Sequence, residues 1–319
     1  MPIHVSRRTF FAATAATVAA SSLPSSQPIH AADSSGLPFR FCLNTSTIRE
    51  CQYKGKKIDI VSGIEVAAKA GYTAIEPWIN ELDTYVKNGG SLSDLRKRIA
   101  DAGLTVESAI GFAAFLHEDD DARQKGLEEA KRCMGLVREI GGTRIAAPPV
   151  GVTDKTGLDP LKLAARYRAL CELGQKEEIF PQLELWGFAK TLARMGEVAF
   201  VGVEAAHPRA CVLLDIYHIY KGGSDFEGLP MFAASRMYNF HVNDYPADPP
   251  RAEIKDAQRV YPGDGIAPLG KIFRTLRDNG YHGVLSLELF NREYWEQDAL
   301  EVATTGLRKT KDSVAKALA

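Results

Sequence analysis

The chain has 319 residues, of which 45% are hydrophobic and 25% are charged, an ordinary composition for a globular protein with a large core. Its 39 Lys and Arg residues nearly balance 40 Asp and Glu residues, which leaves a net charge of −1. A nearly neutral chain offers no broad basic surface, so the sequence argues against binding to a nucleic-acid backbone or to an anionic membrane.

The first 32 residues have the features of a signal peptide. The paired arginines Arg7 and Arg8 precede an Ala/Thr/Val-rich stretch, residues 12–20, and the segment ends in Ala31-Ala32. Paired arginines resemble a twin-arginine signal, which the export machinery reads as an address and which is not an anchor. We therefore expect residues 1–32 to direct export to the periplasm and residues 37–319 to form the folded protein. The alternative is an amphipathic or buried N-terminal helix.

Later segments contain neither a membrane span nor a cysteine motif. No stretch reaches the ~18 consecutive apolar residues that a spanning helix needs. None of the five cysteines forms a metal-binding C-x-x-C pair, and Cys133, Cys171 and Cys211 lie in apolar segments typical of a core. Whether Cys42 and Cys51 form a disulfide is left open.

From Leu37 onward, short apolar runs alternate with amphipathic stretches. The runs predict eight strands, at residues 39–43, 74–78, 104–110, 144–147, 183–186, 211–215, 237–242 and 284–289. The amphipathic stretches predict helices at residues 58–70, 92–102, 122–140, 160–178, 190–200, 269–279 and 295–317. Strands that alternate with helices indicate a parallel sheet with helical crossovers.

Eight strands in this length predict a closed (β/α)₈ barrel, also called a TIM barrel, as a single domain. A doubly wound fold would need a Gly-rich turn after its first strand, and the residues there are Asn44-Thr45-Ser46-Thr47. No linker or repeat divides residues 37–319. Homo-oligomers remain possible.

Acidic residues and histidines cluster where the later strands end, and this is the end of a barrel that carries active sites. They are Glu184 in strand five, Asp215 and His218 at strand six, His241 and Asp244 at strand seven, and Glu288 in strand eight. Each alone could cap a helix or lie satisfied in the core. A carboxylate inside an apolar run is costly to bury unless it is paired or bound to a metal. Because four successive strands each offer a ligand, the set predicts one metal site formed by Glu184, Asp215, His241 and Glu288.

Residues 37–319 resemble the xylose-isomerase-like barrel superfamily, and in particular its sugar isomerase and epimerase members. Five motifs carry the resemblance: Leu183-Glu184-Leu185-Trp186, Leu213-Leu214-Asp215-Ile216-Tyr217-His218, Phe240-His241-Val242-Asn243-Asp244, Arg259-Val260-Tyr261-Pro262-Gly263-Asp264-Gly265 and Leu285-Ser286-Leu287-Glu288-Leu289-Phe290. The resemblance implies that the four residues above bind one metal and that His218 and Arg259 contact the substrate. We further expect Asn44, Glu76 and Trp186, at strand ends, to line the substrate site.

Three carboxylates and one imidazole favour a hard divalent ion, Mn²⁺ first, with Mg²⁺, Co²⁺, Fe²⁺ or Zn²⁺ as alternatives. Such an ion acidifies the C–H beside a carbonyl and stabilises an enediolate. Glu184 and Glu288 are the predicted catalytic residues, and they would remove and return the proton during isomerisation or epimerisation of a sugar-like small molecule. Dehydration of a keto-inositol or keto-glycoside is an alternative. Export favours a free sugar, an inositol or an oxidised glycoside over a phosphorylated sugar.

The sequence argues against two other functions. A three-zinc DNA repair endonuclease of the same superfamily would need histidines at the ends of strands three and four, and those ends read Ala109-Ile110-Gly111 and Ala147-Pro148-Pro149. A non-catalytic carbohydrate-binding barrel would not need two intact glutamates, Glu184 and Glu288, at the site.

Overall fold

Eight short parallel strands form the centre of the protein, which is described here from a computed structural model covering residues 36–319. The predicted signal peptide, residues 1–32, lies outside the described residues. The strands are β1 (Arg40–Asn44), β2 (Ala74–Glu76), β3 (Thr105–Val106), β4 (Arg144–Ala147), β5 (Phe180–Glu184), β6 (Cys211–Asp215), β7 (Met237–Val242) and β8 (Val284–Leu287). Each coincides with or overlaps a predicted strand.

The strands close into a barrel. Their order in the sheet is β3-β2-β1-β8-β7-β6-β5-β4, and every neighbouring pair is parallel. The chain after β3 completes the ring, because the Ala146 amide donates to the Ala109 carbonyl at 2.9 Å and the Ala109 amide donates to the Arg144 carbonyl at 3.2 Å. The predicted (β/α)₈ barrel is confirmed.

Helices surround the strands. They are α1 (Ile60–Ala70), α2 (Ile79–Lys87), α3 (Leu92–Asp101), α4 (Asp120–Glu139), α5 (Pro160–Lys176), α6 (Met195–Glu204), α7 (Ile216–Lys221), α8 (Leu269–Asp278), α9 (Arg292–Trp295) and α10 (Ala299–Leu318). Aspartate side chains cap the first turns of α1, α4, α5 and α10, where free amides need an acceptor. None of these helices is long and apolar enough to cross a membrane.

Side chains on each strand alternate between the barrel interior and the helical layer, as a period of two requires. In β1, Phe41 and Leu43 join the large apolar core, whereas Cys42 packs with Ala74 and Val284 in a separate small cluster. The five cysteines are all buried and free, so the possible Cys42–Cys51 disulfide is absent. The alternation directs the polar residues at the carboxyl ends of the strands toward the barrel axis.

Several helices differ from the sequence-based predictions, and among them α9 was not predicted and α10 begins at Ala299, four residues later than predicted. The additional helix α2 was not predicted, and the Glu81 carboxylate caps its start by accepting from the Trp78 amide at 2.8 Å. Helix α6 begins at Met195, five residues later than predicted, because Glu197 accepts from the Ala193 and Arg194 amides and fixes the first turn there. The crossover after β6 contains only the short helix α7 and two 3₁₀ turns.

Candidate metal centre and active site

Three of the four predicted metal ligands come together at the carboxyl end of the barrel. Asp215 ends β6 and pairs in register with His241 of β7, while Glu288 follows β8 directly. One ligand atom from each lies within 4.8 Å of the others. The His241 Nδ1 atom is 3.3 Å from Glu288 Oε2 and 3.8 Å from Asp215 Oδ2. All three side chains are buried.

The fourth predicted ligand, Glu184, ends β5 and lines the same cavity without belonging to this three-residue group. Its Oε2 atom is buried and has no hydrogen-bond partner. Burial raises the pKa of Glu184 to about 8, and the nearby negative charges of Glu288 and Asp215 add to the effect while His241 opposes it. A buried carboxylate oxygen without a partner is costly unless something binds it.

Glu76 orients the His241 ring through the ring nitrogen that faces away from the other two candidate ligands. Its Oε2 atom lies 3.0 Å from His241 Nε2, so this ring nitrogen is the donor and Nδ1 remains free to act as a ligand. Nδ1 is buried and has no hydrogen-bond partner. Asn44, Asn239 and Ser286 each donate to the Glu76 carboxylate, at 3.1, 3.2 and 2.7 Å. A carboxylate behind a ligating imidazole is a common arrangement in metal sites.

The expectation that Asn44 and Glu76 line the substrate site does not match where these side chains lie. Both are fully buried, and neither lines the cavity. Asn44 donates to Glu288 Oε1 at 3.1 Å and accepts from Trp78 Nε1 at 2.8 Å. Asn44 and Glu76 are partners in the register of β1 and β2, and the Asn44 amide also donates to Glu76 Oε2 at 3.1 Å. Their contacts are those of residues that position others.

Arg259 places a buried positive charge beside the cluster. Its Nη1 atom donates to Glu288 Oε2 at 2.8 Å and to Asp215 Oδ2 at 3.0 Å, and its Nη2 atom contacts His218 Nε2 at 3.1 Å and Asp256 Oδ1 at 2.5 Å. The guanidinium also lies 4.4 Å from the centre of the Tyr217 ring. Asp256 was not among the predicted site residues, although its spacing of three from Arg259 is the spacing that one helical turn brings together.

The charged groups of the cluster shift one another's pKa values. Burial alone would raise the pKa of Glu288, but His241 and Arg259 outweigh it and hold the pKa of this carboxyl well below its ordinary value. Burial disfavours a charged His241, but Glu288 and Glu76 raise the pKa of the ring. Burial and then Arg259 lower the pKa of His218, so this ring is neutral. The cluster therefore attracts positive charge strongly.

A cavity of about 220 Å³ opens above these residues. Its polar lining consists of Glu184, His218, Asp256, Arg259 and Glu288, and the rest is apolar. Five aromatic side chains, which we call the aromatic belt, border it: Trp78, Phe112, Trp186, Phe188 and Phe290. Among these five aromatic residues, only Trp186 was predicted to line the substrate site. The other four also follow strand ends closely, and that position is the signal that could have revealed them.

The donor set fits a divalent ion. Two buried atoms without partners, His241 Nδ1 and Glu184 Oε2, accompany the carboxylates of Asp215 and Glu288 at one end of the barrel. Three carboxylates and one imidazole are hard ligands of the kind that Mn²⁺, Mg²⁺ and similar ions prefer. The geometry is thus compatible with the predicted site.

Comparison with known proteins identifies the family. Residues 64–312 match the model of the xylose isomerase-like TIM barrel family. The chain belongs to this family. Inosose isomerase of Bacillus velezensis is 26% identical over 282 residues, which is 87% of this chain and 98% of the relative. The 3-dehydroshikimate dehydratase of Pseudomonas putida is 26% identical over 246 residues, covering 77% of this chain but 38% of that protein.

Solved structures share the fold. A structure described as IOLI protein with a binding zinc atom has a TM-score of 0.78 at 22% identity, and the match covers 87% of this chain and 98% of that one. An L-ribulose 3-epimerase has a TM-score of 0.71 at 18% identity and covers 88% of this chain. The curated relatives, inosose isomerase and 3-dehydroshikimate dehydratase, support the prediction of an enzyme of the sugar isomerase and epimerase type.

Proposed function

We propose that this protein is a divalent-metal-dependent isomerase or epimerase that moves a proton beside the carbonyl of a sugar-like keto-polyol. One observation carries the proposal. Glu184 and Glu288 come from the ends of β5 and β8, which are separated by β6 and β7; both carboxylates line one cavity, and Glu288 also belongs to the buried Asp215–His241–Glu288 cluster. Two carboxylates on different sides of a cavity suit proton removal from one face of a carbon and proton return to another.

The chain's own residues have distinct parts in this proposal. Glu184, Asp215, His241 and Glu288 would hold one ion, which supplies Lewis acidity to the substrate carbonyl when bound. Burial raises the pKa of the metal-free Glu184 to about 8; a bound ion would keep this carboxylate ionised, and its free oxygen could then accept a proton from carbon. His218 and Arg259 line the cavity and would contact substrate oxygens, and Arg259 also balances the charge of the carboxylates. Mn²⁺ remains our first choice of ion, although a relative by fold is described with zinc.

A dehydratase is the second candidate. It is favoured by the 3-dehydroshikimate dehydratases among the curated relatives, from Pseudomonas putida and Pseudomonas aeruginosa, each 26% identical. The first step would be the same, since a base removes the proton beside a carbonyl. If a hydroxyl lies one carbon further, its C–O bond would break and it would leave as water, taking the proton that the second glutamate would otherwise return to carbon. The two reactions therefore use the same residues and differ in the substrate.

Solvent exchange in deuterated buffer tests the proposal. Metal-loaded protein is incubated with a panel of inososes, ketoses and keto-glycosides, and deuterium incorporation and water loss are followed by NMR and mass spectrometry. Glu184→Gln and Glu288→Gln each keep the shape and one coordinating oxygen but remove the base. Each should lower turnover by about 10²–10⁴. Glu65→Gln, a glutamate paired with lysines on the outer face of α1, is the matched control and should keep full activity.

The possible outcomes separate the candidates. Deuterium in recovered or isomerised sugar supports isomerase or epimerase chemistry, while loss of water from the substrate supports the dehydratase. Wild-type turnover by both glutamine variants on a true substrate would show that these carboxylates are not the catalytic groups. Metal and sugar binding without any exchange would leave a carbohydrate-binding barrel.

A further inference from the structure

The aromatic belt is a continuous row of rings around one side of the cavity. Starting at Phe290, successive ring centres along Trp78, Phe112, Trp186 and Phe188 are 5.9, 5.3, 5.9 and 5.1 Å apart. The last ring lies 5.6 Å from the imidazole of His218, where the polar lining begins. Rings at these separations contact one another and form an unbroken apolar wall.

Two rings of the belt are too exposed to be explained by core packing alone. Phe112 and Phe188 each keep 45% of their surface exposed, and both line the cavity. Trp78 is held in place, because its Nε1 atom donates to Asn44 at 2.8 Å and the Arg49 guanidinium stacks 3.7 Å from its ring centre. A fixed and partly exposed set of aromatic rings at the mouth of a cavity is typical of a ligand-binding surface.

The polar side chains of the cavity can form hydrogen bonds with only one part of a ligand. The five polar lining residues, which we call the floor of the cavity, lie at or just after the ends of β5, β6 and β8 or in the loop that carries Arg259, whereas the belt presents no side-chain acceptor. A free monosaccharide or inositol carries a hydroxyl on nearly every ring carbon. A single ring that bonds to these polar groups through its hydroxyls leaves the belt without a partner. The belt matches a second ring that can lie flat on it, through an aryl face or through the C–H face of a sugar.

We infer that the substrate has two rings, a keto-polyol ring bound at the metal centre and a second ring whose apolar face stacks against the aromatic belt. The second ring is either an aryl group or another sugar, since both offer a flat apolar face. This makes an oxidised glycoside, rather than a free monosaccharide or inositol, the substrate class. The inference rests on the proposed function, because that function places the keto-polyol ring at the floor.

Unreactive glycosides test the inference by binding alone. Methyl β-glucopyranoside carries one ring, phenyl β-glucopyranoside adds an aryl ring, and methyl β-cellobioside adds a second sugar. Calorimetry or ligand-observed NMR on the metal-loaded full-length protein should give at least one two-ring probe about tenfold tighter binding than the one-ring probe, since a stacking contact contributes up to about tenfold. Phenol alone measures non-specific aromatic binding and should bind no better than the one-ring probe.

Substitutions in the aromatic belt test whether the belt causes the preference for two-ring probes. Phe112→Ala and Phe188→Ala should each reduce the preference for two-ring probes by several fold and leave the metal content unchanged, while Phe188→Leu should lower it less because it keeps apolar volume without the flat ring. Phe200→Ala is the matched control, a phenylalanine of α6 that is 40% exposed and does not line the cavity. Its preference should equal that of the unaltered protein. Thermal unfolding checks that every variant is folded.

The results distinguish this inference from the proposed function. Equal affinities for all three glycosides, or a preference that survives both alanine variants, would overturn the two-ring substrate even if deuterium exchange occurs with a free inosose. A belt-dependent preference without metal-dependent exchange would keep the two-ring ligand and overturn the isomerase proposal. An advantage of phenyl glycoside alone identifies the second ring as aryl, and an advantage of cellobioside alone identifies it as a sugar.

Discussion

At the scale of single residues, the geometry of the candidate metal site depends on the hydrogen bonds that orient His241 as well as on the ligands themselves. The Glu76 carboxylate is fully buried and accepts hydrogen bonds from four side chains, those of Asn44, Asn239, His241 and Ser286. The donors satisfy the oxygens of this buried carboxylate and hold it in one orientation. It therefore fixes which nitrogen of His241 faces the metal centre and increases the electron density on that nitrogen.

Replacing Glu76 tests this positioning role. Glu76→Gln keeps the size of the side chain and an oxygen that can accept from His241 Nε2, but removes the negative charge. We expect metal affinity to fall by about 10–100-fold, the usual effect of losing a partner behind a metal-ligating histidine. Competition titration against a chromogenic chelator measures this directly. Glu65→Gln should show no change, and an unchanged affinity in Glu76→Gln would exclude the role, whatever happens to activity.

At the scale of elements, the loop after β7 is organised around Asp244. The Asp244 backbone exchanges two hydrogen bonds of 2.9 Å with Val260, next to Arg259. Its carboxylate accepts from the amides of Gly263, Gly265 and Ala267 at 3.0, 3.1 and 2.8 Å. The motif Pro262-Gly263-Asp264-Gly265 is explained by this packing, because a Cβ on Gly265 would lie 2.2 Å from the Tyr245 carbonyl oxygen. The side chain of Asp244 thus positions the loop that carries Arg259.

Asp244→Asn should disturb this loop. The substitution places an amide group against backbone donors, so at least one buried donor loses its acceptor, at a cost of about 1–3 kcal/mol in unfolding free energy. Because Arg259 loses part of its support, KM should rise more than kcat falls. Urea unfolding and steady-state kinetics measure the two effects. Asp264→Asn, in the same loop but exposed and paired only with Lys309, is the control and should change neither value appreciably.

The elements that the sequence failed to predict share a physical cause. Helix α2 lacks an N-terminal Ser, Thr, Asp or Asn cap, and its start depends on Glu81, which also accepts from Thr45 of a different element at 2.5 Å. The late start of α6 reflects the segment before it, where Leu192 adopts a φ of 59° and continues the turn at the end of β5. In both cases contacts made by the folded barrel select the first helical residue.

At the scale of the whole molecule, export stays a prediction, because residues 1–32 lie outside the described residues. We expect Arg7→Lys with Arg8→Lys to leave the protein in the cytoplasm, since the export machinery reads paired arginines. The retained protein should be folded and bind metal, because the leader supplies none of the proposed ligands. Cell fractionation with immunodetection and metal analysis test both points. Export of the double variant at the normal level would contradict a twin-arginine signal.

The sequence by itself determined the barrel and the chemical character of its site. Alternation of apolar runs with amphipathic stretches is a local property, so it predicted all eight strands. Acidic residues and a histidine inside or at the end of strands are costly without a partner, so Glu184, Asp215, His241 and Glu288 were identifiable before any contact was known.

Only the tertiary structure decided what surrounds those residues. Asn44 and Glu76 were predicted to line the substrate site from their positions at strand ends, but in the closed barrel both are fully buried and bond to Glu288 and His241. The aromatic belt brings together side chains from distant parts of the chain. Rings that are neighbours along the belt are between 2 and 212 residues apart in the sequence. Periodicity reveals which side of a strand is buried, but the neighbours across a closed barrel follow from its register and curvature, which no local pattern encodes.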